Sequence, residues 1–137
     1  VSRKYIVEVE GVPPSPSPIS NAVVVGNHCW ISGQLSVGPD GAYVPGTARE
    51  EAERAFAHVF RIAEASGFSR SDIVYVDLAF IDLAEAGEVN QLFGELFPEG
   101  RRPARTVYQA ARLPFGGRVK VQAIAAQDPP TADSASG

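Results

Sequence analysis

The chain is short of several things, and each shortage narrows what it can be. It has one cysteine, Cys29, in 137 residues, so no disulfide can form within it. Neither His28 nor His58 has cysteine or histidine neighbours at a spacing that would build a zinc site. Lysine is scarce: of 12 basic residues only Lys4 and Lys120 are lysines, against 16 acidic residues and a net charge of −4. A mildly acidic chain without a basic stripe is not expected to bind nucleic acid. No apolar run approaches the length of a membrane span. No apolar segment of the signal-peptide kind follows Val1-Ser2-Arg3-Lys4, so no secretory signal is expected. The expectation is a cytoplasmic protein with no metal, no membrane partner and no nucleic-acid partner.

What is present reads as an ordinary globular domain, 45% apolar and 20% charged. The length suits one domain with a sizeable core, expected over 1–127. Residues 128–137, rich in Pro, Ser, Ala and Asp, are expected to form a disordered tail.

Tyr5-Ile6-Val7-Glu8-Val9 alternates like a strand. Residues 11–20 carry Pro13, Pro14, Pro16 and Pro18 and read as a loop, either a plain connector or a rigid rim over a site. Ala22–Val25 and His28–Ser32 flank Gly26-Asn27, a good two-residue hairpin turn. Thr47-Ala48-Arg49-Glu50 fits a capping box, and Phe56, Val59, Phe60 and Ala63 form the apolar stripe of the helix that follows. Its polar face should carry Glu51, Arg54, His58 and Arg61, with His58 solvated or at the helix edge. Gly67 is a natural stop.

Ile73–Ile81 is apolar at both parities except at Asp77. Asp82 with Glu85 can cap a second helix with the stripe Val89, Leu92, Phe93 and Leu96. Strands over 105–110 and 118–125 complete the order β-β-β-α-β-α-β-β. Two helices cover one face of such a sheet and leave the other bare. Strands apolar on both faces then point to contact with another subunit.

Arg105 stands out in Arg101-Arg102-Pro103-Ala104-Arg105-Thr106, because it leads directly into a strand. An arginine there is a surface residue or the holder of a carboxylate or phosphate, which its planar fork binds by two parallel hydrogen bonds.

Four patches together resemble the Rid (YjgF) family of small trimeric proteins: Ser32-Gly33-Gln34-Leu35; Ala63-Glu64-Ala65-Ser66-Gly67; Val89-Asn90 with Glu95-Leu96-Phe97; and Arg102-Pro103-Ala104-Arg105-Thr106 followed by Leu113-Pro114 and Ala123-Ile124-Ala125. The resemblance implies an α+β, chorismate-mutase-like fold with two helices on one face of a mixed sheet. It also implies a trimeric barrel with sites between neighbouring subunits. The implied activity is hydrolysis of imine or enamine carboxylates, of the 2-iminopropanoate or the 2-aminomuconate type, to a keto acid and ammonia, with no cofactor. It assigns Arg105 to the substrate carboxylate, lines the cleft with Ser32, Gly33 and Asn90, and gives Val107 a backbone N–H that faces the ligand.

Two positions depart from the family pattern. The rim tyrosine is replaced by Ile19 in Pro18-Ile19-Ser20, and Gln122 stands where the resemblance places a glutamate on the last strand. Glutamine can orient a water but cannot take its proton near neutral pH. Glu95 is the other carboxylate considered as a base, and Tyr108, Cys29 and His28 are further polar candidates. Two readings follow: an Arg105-dependent deaminase with Gln122 at the reacting water, or a non-catalytic trimer that binds a carboxylate or 2-keto acid.

Overall fold

The computed structural model describes residues 2–129. The tail expected over 128–137 lies, beyond Pro129, outside them. Six strands form one mixed sheet: β1 (Arg3–Ile6), β2 (Ala22–Val25), β3 (His28–Gln34), β4 (Ile73–Phe80), β5 (Ala104–Gln109) and β6 (Val119–Ala126), in the spatial order β1-β2-β3-β6-β4-β5. β4 and β5 run parallel, and every other neighbouring pair is antiparallel. Both helices, α1 (Ala48–Ala65) and α2 (Ala86–Leu96), lie on one face, in the element order expected from the sequence.

Local chemistry accounts for most boundaries. β2 and β3 turn at Gly26, whose φ of +59° suits glycine. The first strand ends at Ile6 instead of reaching Val9. Its partner β2 begins at Ala22, and the segment before it turns away from the ladder, with the Ile19 N–H donating to the Ser17 carbonyl. Thr47 caps α1 in the expected box: its hydroxyl accepts from the Glu50 N–H, and the Glu50 carboxylate accepts from the Thr47 N–H. Between the helices Phe56, Phe60, Phe93 and Phe97 pack as an aromatic cluster, with ring centroids 4.8–6.2 Å apart.

Two expectations fail here. Glu51 and His58 are buried, not solvated, because the segment around 36–46 folds over that side of α1. His58 Nε2 lies 2.8 Å from the Val37 carbonyl oxygen. Glu51 accepts from the Tyr43 hydroxyl at 2.5 Å, from the Gly46 N–H at 3.3 Å and from the Arg118 N–H at 2.9 Å. Asp82 and Glu85 do not form a capping box for α2. Asp82 caps a short 3-10 turn over Leu83–Glu85 instead, while Glu85 is drawn to Arg118 at 3.1 Å.

On the face opposite the helices Leu35 and Leu113 pack over Ala79 as a small second cluster, while other parts of that face are open. Trp30, half exposed, lies in register with Val23 on β2 and Ile124 on β6, and Tyr108 and Val74 are also exposed.

Candidate active site

The sheet's pleat divides the candidate residues into two groups. β5 is an edge strand, and on it Arg105 is in register with Val76 and Val107 with Leu78, both buried beneath the helices. Arg105 and Val107 therefore face the helix side. The Arg105 guanidinium carbon sits 4.9 Å from the centre of the Phe93 ring on α2, a cation–π contact that orients the fork without using its donors. Asn90, Gly94, Arg102 and Pro103 line the same shallow cleft of about 500 Å³. Among the described residues no carboxylate pairs with Arg105.

Its neighbour Arg102 is occupied. It donates from Nε to the Phe97 carbonyl at 3.1 Å and from a terminal nitrogen to the Gly94 carbonyl at 3.5 Å, satisfying the end of α2. One arginine of the motif is structural, and the other is left free to bind. Val107 is half-buried and packs against the core with its side chain, so the edge backbone is what it can offer a ligand.

The second group surrounds β3. Pairing with β6 shifts between Ile31 and Gln34, which makes Ser32 and Gly33 a bulge opposite Gln122. The Ser32 hydroxyl donates to the Ser20 carbonyl at 2.7 Å and its N–H to the Asn21 carbonyl at 2.9 Å, tying the bulge to the proline-rich rim. Ile19 and Gly33 border a narrow cleft of about 70 Å³, together with Pro14, Pro16 and Phe115. Phe115, not singled out from the sequence, holds a left-handed φ of +63°, uncommon for a bulky residue. Gln122 is exposed on the open face, in register with Asp77. Lys120, two residues before it, shares that face and lies against Gly33. Neither Phe115 nor Lys120 sits in a distinctive motif, and only the strand parity of β6 could have pointed to Lys120.

The remaining polar candidates are placed elsewhere. Glu95 is committed to Arg49, at 2.6 and 3.0 Å, and this pairing holds its carboxyl below the usual range, which makes it a weaker base. Cys29 is buried, and burial pushes its thiol up, partly offset by the Ser66 hydroxyl. His28 is exposed on the hairpin. Tyr108 sits on the open face, its phenol raised by burial and then by Asp77.

β3 and β5 are three strand spacings apart, about 14 Å. Within one chain, Arg105 with Asn90 and Val107 therefore stays apart from Ser32 and Gly33, and Gln122, two strands from β5, points from the opposite face. No grouping of three or more His, Cys, Asp or Glu side chains fit to hold a metal occurs among the described residues. No helix among them is long and apolar enough to cross a membrane.

The family described as endoribonuclease L-PSP matches residues 11–127. The 2-iminobutanoate/2-iminopropanoate deaminase of Bos taurus is 37% identical over 132 residues, covering 96% of each chain. The crystal structure of RidA from a Psychrobacter species superposes with a TM-score of 0.84 at 32% identity, covering 90% of this chain and 100% of that one. E. coli TdcF with bound serine superposes with a TM-score of 0.83 at 29% identity, covering 91% and 100%.

Proposed function

The chain belongs to the endoribonuclease L-PSP family, the YjgF/Rid group, and from that premise we propose that it hydrolyses imine or enamine carboxylates to a keto acid and ammonia, with Arg105 holding the substrate carboxylate. The observation that carries this is the Arg105 fork itself: aligned on Phe93, beside Asn90, in a cleft at a sheet edge, with no carboxylate among the described residues to satisfy it. The deaminase named for the Bos taurus relative supports the reaction class.

The steps are simple. Arg105 takes the carboxylate by two parallel hydrogen bonds, and the Val107 backbone N–H adds a donor from the free edge. That leaves the imine carbon oriented for attack. Water adds across C=N, its oxygen to carbon and its proton ending on nitrogen. The hydroxyl proton of this adduct then passes, through water, to the nitrogen as the carbon–nitrogen bond breaks and the C=O bond forms, releasing ammonia and the keto acid. Gln122 accepts a hydrogen bond from the water and orients it without removing its proton. Positioning accounts for most of the acceleration, since a protonated imine is already electrophilic.

Arg105 and Gln122 face opposite sides of the sheet, so the site is completed between copies. The edge of one subunit, with Arg105, Asn90 and Val107, meets the Ser32–Gly33 bulge, Ile19 and Gln122 of its neighbour in a homotrimer joined through the open sheet faces. The test is keto-acid and ammonia release from 2-iminopropanoate generated in situ and from purified 2-aminomuconate. Release above buffer that depends on enzyme concentration and is lost in Arg105→Ala supports the proposal, and none from either substrate overturns it.

A second reading rests on the open face of β6, whose Lys120 and Gln122 leave that strand without a carboxylate. It makes the protein a trimer that binds a 2-keto acid without turning it over. Titration calorimetry with 2-oxobutanoate separates the two readings: Arg105-dependent binding without turnover of either imine favours this one.

A further inference from the structure

Lys120, on β6, is a basic side chain that the proposed reaction leaves unused. On β6, Val119, Val121, Ala123 and Ala125 are buried under the helices, so Lys120, Gln122 and Ile124 share the open face. On one side Lys120 is in register with Ala79 on β4. On the other its stem lies along Gly33: a Cβ at position 33 would stand 2.9 Å from Lys120 Cδ and 3.4 Å from Cε. An alanine and a glycine thus make a slot that lays the lysine stem beside the Ser32–Gly33 bulge.

Among the described residues Lys120 takes part in no ion pair. The nearest acid on the same face is Asp77, which is in register with Gln122 and so only diagonal to Lys120. Lys120 is half-buried as a residue and its stem is ordered by packing against Gly33, so the ammonium is held at the bulge at little further entropy cost.

Given the deaminase reading above, on which this step rests, the composite site offers two unpaired cations from its two halves: Arg105 from one copy and Lys120 from the next. A substrate with one carboxylate satisfies only Arg105. We propose that Lys120 is a specificity residue that reads a second acidic group, so that the preferred substrates are imines of dicarboxylic amino acids.

The test uses the full chain as wild type, Lys120→Met and Lys120→Arg. Methionine keeps an unbranched stem in the slot and removes the charge, whereas arginine keeps the charge. Imines are generated in situ by oxidation of alanine and of glutamate, and keto-acid formation is followed. Binding of 2-oxoglutarate and of 2-oxobutanoate is measured by calorimetry in parallel. The expected result is a wild-type kcat/KM about tenfold higher for the dicarboxylate imine, a preference lost in Lys120→Met mainly through KM and largely restored in Lys120→Arg. The calorimetric preference for 2-oxoglutarate should follow the same pattern. Turnover with no dicarboxylate preference, or a preference that survives in Lys120→Met, overturns the Lys120 assignment and leaves the deaminase reading standing. No turnover of either imine, with a Lys120-dependent preference for 2-oxoglutarate, overturns the deaminase reading and keeps the assignment.

Discussion

Arg105 and Gln122 lie on opposite faces of one sheet. Arg105 is in register with buried Val76 and turns toward Phe93, whereas Gln122 is in register with Asp77 and turns away from the helices. If both serve the proposed reaction, neighbouring copies must complete each other's sites.

The first prediction follows from the exposure of Arg105. Arg105→Ala should lower kcat/KM for imine hydrolysis about 100-fold, the worth of a charge-assisted bidentate contact. Its unfolding free energy should stay within about 0.5 kcal/mol of wild type, because the side chain is exposed. Arg105→Lys should recover only part of the rate, since a lysine cannot form the planar fork over Phe93. Steady-state kinetics and urea denaturation on the same preparations check both halves.

Assembly gives the second. If the open sheet face is the subunit interface, Trp30→Glu puts a charge into it and should shift the protein from trimer to monomer in sedimentation velocity. Activity should fall with the trimer, because the monomer holds only half a site. A Trp30→Glu protein that remains a trimer would show that this face is not the interface.

The third concerns Glu51, whose carboxylate gathers Tyr43, Gly46 and the Arg118 backbone beneath the segment around 36–46. Glu51→Ala leaves those donors buried without an acceptor and should cost about 3 kcal/mol in urea denaturation. Glu51→Gln keeps an acceptor oxygen and should cost less.

Much of this was legible in the sequence, and the exceptions share a cause. The Thr47 box, the phenylalanine stripe of α1 and the Gly26 turn are local, so they could be read directly. The burial of Glu51 and His58 depends on how the loop just before α1 folds back over the helix and, for Glu51, on the Arg118 backbone far along the chain. The face on which Arg105 sits depends on a parallel register with β4, nearly thirty residues earlier, and the bulge at Ser32–Gly33 resets parity within β3. A composition or spacing argument sees none of these long-range pairings. The free fork of Arg105 became distinct from its neighbour only once Arg102 was seen bonded to the end of α2.

A fourth prediction is a pH dependence. Burial and then the Glu51 hydrogen bond push the Tyr43 phenol from 10.0 up to about 12. A phenol raised in the fold holds its proton more tightly there than in the unfolded chain. Its contribution to stability is therefore complete below about pH 10 and is lost as the pH rises through about 12. Unfolding free energy should fall across that window, and Tyr43→Phe should flatten the fall. Some slope should remain from Tyr108, whose phenol is raised as well.

The most direct test of the central claim is a crystal structure of the assembled protein with 2-oxobutanoate. The account predicts the ligand carboxylate on the Arg105 guanidinium through two parallel contacts of about 2.7–2.9 Å, with Asn90 and the Val107 backbone alongside and the neighbour's Ser32–Gly33 bulge across the cleft. A ligand seated elsewhere, with Arg105 still free above Phe93, would contradict it.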